Sequence, residues 1–568
     1  MRCFVRVSLM GCLTTAAALT LVLSGTLAAQ APSAPAHLRG GPKGVVKTTI
    51  GRPVAGMMVQ LISDATAIRT TAYTTESGAY EFPRLPAGAY TLRLARPLEY
   101  KPYWKDGVQI SGATVLPDIV AERISSSQFI PPNPEVLPQL SGSEWVANLP
   151  GTAQEKKSFV NACGGSCHSF QMQMRARFDE ENWRKVVLRM SNYGGRTLVG
   201  SPNSGSAPTA PFETPALAGM DLEPGEMERV VQWLVKVRGV DAKDPALKPF
   251  PRPMGAAARA IVTEYELPYE LSNIHDVAGA PDGKIWFTIN RSPLIGSLDP
   301  NTGKVTSYRV PTVEGEHPGN HWIHADKDGI VWFTPVWAGG IARLDPRTGD
   351  MKVVYEGPSH STARHPDGSL WSRASWGRFA GSIAKWDPAS PDFWKAPQPV
   401  RQYPIPGKSS TYGTSISWDG KYWGGGGNDG IVWLNIETGE VREVPIPSGL
   451  SAHGRGNFDP EGNLWVGSKQ GVLVKYDHRT GVVAEYPAPT PYANFYSAMA
   501  DKNGDIWAGE MHAGKIARLN PKTGQFIEYQ LPTPWSQDYN SWIDNSGSAP
   551  TYWYGDQYGY IVRIQPFE

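Results

Sequence analysis

Asp282-Gly283-Lys284-Ile285-Trp286 decides the fold because it recurs. The same turn, followed by an apolar residue and tryptophan, returns at Asp328-Gly329-Ile330-Val331-Trp332, Asp367-Gly368-Ser369-Leu370-Trp371 and Asp419-Gly420-Lys421-Tyr422-Trp423. It continues at Glu461-Gly462-Asn463-Leu464-Trp465, Asn503-Gly504-Asp505-Ile506-Trp507 and, in degenerate form, Tyr552-Trp553. Successive tryptophans stand 39 to 52 residues apart, the length of a four-stranded propeller blade. A second turn keeps step, as in Asp299-Pro300-Asn301-Thr302-Gly303 and Asn520-Pro521-Lys522-Thr523-Gly524. Seven copies predict a seven-bladed β-propeller over residues 261–568. The run Thr263-Glu264-Tyr265-Glu266-Leu267-Pro268 matches blade-ending runs such as Ile527-Glu528-Tyr529-Gln530-Leu531-Pro532, and the last blade lacks one. Residues 263–268 are therefore expected to close the ring as its outer strand, which removes free sheet edges.

Working outward, residues 42–123 alternate β-type runs with Gly and Pro turns. In Tyr90-Thr91-Leu92-Arg93-Leu94 every second residue is apolar, the pattern of a half-buried strand. These runs resemble the carboxypeptidase regulatory-like domain, which implies a prealbumin-like β-sandwich in an accessory role without peptidase activity. Residues 130–240 change character. Phe178 to Met190 reads as a helix with acidic residues first and basic ones later, and Met227, Val230, Val231 and Leu234 repeat at helical spacing. Residues 241–260, rich in proline, read as a linker. The expected class is thus mainly β and multidomain: a β-sandwich, a small all-α domain and a propeller.

Residues 1–31 read as an export signal, with Arg2 and Arg6 before an apolar run and small residues around Ala28 to Ala31; a short membrane anchor is the competing reading. A periplasmic or otherwise extracytoplasmic location follows, with no membrane-spanning segment after cleavage. Lys and Arg total 54 against 53 for Asp and Glu, so no global field favours nucleic acid. Removal of Cys3 and Cys12 with the signal leaves only Cys163 and Cys167, too few for a disulfide framework.

Those two thiols lie in Asn161-Ala162-Cys163-Gly164-Gly165-Ser166-Cys167-His168, nearly the haem-c attachment motif but with three residues between the cysteines instead of two. Gly164-Gly165 can take the backbone angles that the extra residue demands. With Trp183, Val187 and Met190 following, the segment resembles class I cytochromes c over 155–238. The resemblance implies one covalent haem c, Cys163 and Cys167 as thioether anchors, His168 as proximal iron ligand, and Met190 or its rival Met220 as sixth ligand. A plain disulfide, a zinc site and methionines used only for packing are the competing readings.

Counting back seven residues from the first member of each turn gives a second register. His275, His321 and His360 occupy it in the first three blades and Tyr412, Tyr496 and Tyr539 in later ones; blade five has Gly454, with His453 beside it. These side chains are expected to converge at the axial entrance, where the loop carrying Glu510-Met511-His512 and Asp556 also opens. Such a set can bind a divalent metal or transfer protons, or simply line a wet channel. The domain resembles the virginiamycin B (streptogramin) lyase-like propellers, which implies magnesium-assisted proton abstraction. Glu510 and His512 look like that family's Glu-x-His pair, and His453 is a candidate substrate-binding residue. Joined to a haem motif, the propeller points first to an exported cytochrome that exchanges electrons with a small-molecule substrate or a redox partner protein. The alternatives are a lyase-like metal-dependent enzyme and a non-catalytic extracytoplasmic binding protein.

Overall fold

The computed structural model describes residues 38–567, apart from 125–128, 164–168, 194–224, 270–272, 312–318, 356, 359, 375–380, 408–410, 428–429 and 453, and apart from the side chains of 190–193 and 374. The expected export signal lies outside the described residues. Among those residues no helix is long and apolar enough to cross a membrane.

The chain is mainly β. Six antiparallel blades follow one another from Ile274 to Gln530, five with four strands and the sixth with its innermost strand broken into Asn494–Phe495 and Met499–Ala500, and a seventh blade begins at Asp538–Asp544. The tryptophan turns build each blade locally. In blade two the Asp326 carbonyl accepts from the Gly329 amide at 2.9 Å, with Gly329 at φ 76°, while the Asp326 carboxylate accepts from the Trp332 indole at 3.0 Å. Asp459 and Asp501 hold Trp465 and Trp507 in the same way, at 2.9 Å each. These three indoles are thereby buried with their N–H groups satisfied, which lets a large ring fill the seam between blades.

Ala260–Glu266 closes the ring, pairing antiparallel with Tyr560–Pro566 in register from Ala260↔Pro566 to Glu266↔Tyr560. The closing strand is not an outer edge, however. Its far side pairs with Arg69–Tyr73 of the N-terminal sandwich, so the seventh blade continues into a sheet with Met58–Ser63, Gly88–Leu94 and Trp104–Ile110. Glu264 sits in that junction, accepting from Gln60 at 3.0 Å and from Thr533 at 2.6 Å. The sandwich packs Val46, Val59, Leu61, Tyr80, Phe82 and Leu92 between this sheet and a second one of three strands.

Between sandwich and propeller lies a helical unit: α1 (Gly142–Asn148), α2 (Ala153–Cys163), α3 (Gln171–Arg175), α4 (Glu180–Tyr193) and α5 (Glu226–Arg238). Helices α2, α4 and α5 pack around Phe159, Phe170, Trp183, Val230, Trp233 and Leu234. Ser141 and Glu144 form a capping box at the start of α1, and Glu144 also pairs with buried Arg96 of the sandwich at 2.8 Å. The stretch 241–260, expected to be a linker, is packed instead. Leu247 pairs with Ile130 and is fully buried, and Arg252 binds Glu99 at 2.8 Å.

Candidate functional site

The seven innermost strands surround the propeller axis, and the register positions meet at one end of it. His275 and His321 have ring centroids 3.8 Å apart, His321 and His360 4.3 Å, and His360 and Tyr412 4.7 Å. Tyr412 and Tyr496 hydroxyls are 2.6 Å apart, Tyr496 lies 5.2 Å from Tyr539, and Tyr539 stacks on His275 at 4.4 Å. Six of the seven positions thus form a closed aromatic ring.

The seventh is filled by Arg455, which sequence reasoning missed. Gly454 has no side chain, and a Cβ there would strike the carbonyls of Gly467 and Tyr496. The next residue supplies the group instead. The buried guanidinium bridges the Asp276 carboxylate and, at 2.6 Å, the Nδ1 of His321. Asp276, equally unforeseen, accepts from His275 Nδ1 at 2.6 Å and from Asn540 at 3.0 Å. The signal available was an arginine beside the one empty place in a seven-fold register.

Burial lowers the His275 pKa, with Asp276 opposing the effect, and lowers that of His321 further, helped by the neighbouring imidazoles; both rings are neutral near pH 7. Burial works against the charge on Arg455, but the Asp276 carboxylate together with the Tyr496 and Tyr412 oxygens outweighs it. His275, Asp276 and His321 offer ligand atoms within 4.8 Å of one another, the spacing of a metal cluster. The guanidinium already supplies the cation there, so magnesium would have to displace it.

The Glu510–His512 pair separates. Glu510 is buried beside Glu528, Lys515 and Thr490, and burial, reinforced by Glu528, raises its pKa well above the carboxylate range. A protonated carboxyl next to an ammonium is a poor magnesium ligand. His512 is fully buried under the helical unit. Its ring stacks on Phe170, centroids 3.8 Å apart and planes within 10°, and its carbonyl accepts from the Ser143 amide at 2.8 Å. Ser143 Oγ donates to the Tyr492 carbonyl at 3.1 Å, and the Tyr558 hydroxyl accepts from the Ser169 amide at 3.1 Å. Asp556 holds this loop from beneath, accepting from the amides of Gln537 at 2.9 Å and Tyr558 at 2.7 Å; burial pushes its pKa up to about 7. Backbone strain concentrates here: His360 (φ 59°), Tyr492 (φ 62°) and His512 (φ 69°) are three of the five non-glycine residues with positive φ among those described.

Of the residues expected to hold a haem, Cys163 ends α2 at the rim of the helical core, where burial pushes its thiol pKa up to about 12. That seat fits a thioether, which has no proton to lose, better than a reactive thiolate. Cys167, His168, Met220 and the side chain of Met190 lie outside the described residues, as does His453. The donor set of two thiols and an adjacent imidazole suits a covalent haem.

Residues 43–120 match the carboxypeptidase regulatory-like domain. That match covers the sandwich alone. No curated protein matches the chain. Similar solved structures include virginiamycin B lyase from Staphylococcus aureus, with 20% identity, 54% of this chain and 100% of that chain covered, and a TM-score of 0.46. A streptogramin B lyase aligns with 22% identity, 55% and 100% coverage and a TM-score of 0.47. A catalytically inactive variant of the staphylococcal enzyme with quinupristin aligns with 20% identity, 54% and 100% coverage and a TM-score of 0.46.

Proposed function

We propose that the chain is an exported haem-c protein whose propeller binds a small-molecule substrate or redox partner at its axial mouth. Cys163 and Cys167 anchor the haem in this reading, with His168 as proximal ligand and Met190 or Met220 as the sixth. The bound group would supply one-electron redox chemistry. The observation that carries the reading is the position of Phe170, two residues after His168, flat on His512 at the propeller's mouth. It supports an electron carrier and a ligand-binding face sharing one seam. Phe170 and Ser143 hold the seam, and the neutral axial imidazoles accept hydrogen bonds or a proton. The test is the mass and pyridine haemochrome spectrum of protein made with c-type maturation machinery. One covalent haem per chain, lost in the Cys163→Ala/Cys167→Ala double variant, is expected. Colourless protein with free or mutually bonded thiols would overturn the reading.

Metal-dependent opening of a cyclic ester is the second reading, favoured by the strained backbone of His512 at the mouth. Glu510 beside Lys515 and the ring of His512 under Phe170 weigh against it. Magnesium-dependent ring opening that disappears in His512→Ala would establish it over the first.

A further inference from the structure

We propose that Lys515 is a built-in cation standing where a divalent metal would bind. Its ammonium, with one shared proton, holds Glu510 and Glu528 together, so the seam between blades five and six needs no magnesium. The inference rests neither on haem nor on the ligand of the mouth. Strand pairing brings the three groups together. Glu510 lies directly opposite Lys515 where Ile506–Met511 pairs with Lys515–Asn520. Glu528 lies opposite Ala517, two residues along the same face as Lys515. That face packs on blade five, where Ala508, Ala517 and Leu519 meet Trp465, Leu473 and Phe495. The period of two in each strand therefore carries both carboxyls and the amine into one seam.

The hydrogen bonds there assign a charge state. Lys515 Nζ donates to Glu528 Oε2 at 2.8 Å and to the Thr490 hydroxyl at 2.7 Å. Thr490 donates to Glu528 Oε1 from its hydroxyl at 2.8 Å and from its amide at 3.0 Å. Both oxygens of Glu528 thus have donors, as an ionised carboxylate requires. Glu510 is 1% exposed, and neither of its oxygens meets a donor among the described residues. Its neighbour is the Glu528 carboxylate, and two acceptors cannot bond, so Glu510 itself carries the proton that joins them. Burial favours the protonated form of both acids, but at Glu528 the Lys515 ammonium and the donated bonds outweigh it. One ammonium and one proton therefore balance two carboxylates, the same charge that a divalent ion would bring. Glu510, Glu528 and Thr490 present the oxygen donors that such an ion takes. The remaining wall suits the amine instead: the Phe250 ring lies over Lys515 Nζ, 5.8 Å from its centroid. An aromatic face attracts an ammonium, whereas magnesium keeps waters that need polar partners. The Lys515 and Glu528 side chains are 11% and 17% exposed, so an ion can reach the seam once the amine is gone.

The test is binding of divalent manganese to the full-length chain in mildly alkaline buffer, read by electron paramagnetic resonance. Wild type is expected to hold no ion that Glu510→Gln removes, even at millimolar manganese. Lys515→Ala, which deletes the amine and leaves its space, should take one ion per chain. Adding Glu510→Gln to Lys515→Ala should weaken that ion roughly tenfold or more, because ligand charge sets affinity for a hard cation. An ion bound elsewhere would be indifferent to the second substitution. If Lys515→Ala unfolds, millimolar manganese should restore its native circular dichroism. A wild-type ion that Glu510→Gln removes overturns the proposal. So does a Lys515→Ala chain that binds none, holds its ion equally well with Glu510→Gln, or stays unfolded with manganese.

Discussion

Replacing Asp538 by asparagine tests the electrostatics of the mouth. Asp538 starts the innermost strand of blade seven, is buried, and has one oxygen accepting from the Tyr552 hydroxyl at 2.6 Å. Burial moves its pKa from the ordinary 3.8 to about 6, with the Tyr552 bond opposing the rise. The folded state therefore binds a proton that the unfolded chain has already released, and stability falls as pH rises from 3.8 through 6. At about 1.4 kcal/mol per pH unit, that gap amounts to ~3 kcal/mol lost by pH 8. Asparagine keeps the shape and the acceptor for Tyr552 but never ionises. Urea or thermal unfolding at pH 4 and pH 8 should show the Asp538→Asn variant close to wild type at the lower pH and up to ~3 kcal/mol more stable at the higher. A difference that does not change with pH, or a variant less stable at pH 8, refutes the reasoning.

Arg455→Met leaves Asp276 buried without its cation and should cost about 3–5 kcal/mol in unfolding free energy, with Arg455→Lys recovering only part because one ammonium cannot replace the planar fork. Phe170→Ala empties a fully buried aromatic site between α3 and His512 and should cost about 3–5 kcal/mol; hydrogen exchange at 492–494 and 511–514 should accelerate. Dialysis against a chelator should leave the melting temperature unchanged, since the guanidinium already bridges the His–Asp–His cluster; a clear drop would place a divalent metal there. Arg96→Ala should destabilise the sandwich–helix junction by about 3–5 kcal/mol, because Glu144 loses its buried partner.

Much of the axial site was legible because a propeller repeats. A fixed count from each turn carries a side chain to the same place in every blade, so the three histidines and three tyrosines could be found without coordinates. Arg455 and Asp276 were not, since each lies one position off that count and owes its role to the missing side chain of Gly454 or to its partner across the ring. Glu510 and His512 looked alike in spacing, yet the strand buries one beside Lys515 while positive φ at the other turns it toward Phe170.

The sequence by itself determined the blades: each aspartate–glycine–tryptophan turn is closed by hydrogen bonds spanning six residues or fewer, so the local chain suffices to specify it. Only the tertiary structure decided that the ring-closing strand would be shared with the sandwich through Gln60 and Glu264, 204 residues apart, and that a helical unit would seat Phe170 on His512. Those contacts join segments with no common period, and their energy comes from surfaces that exist only once each unit has folded.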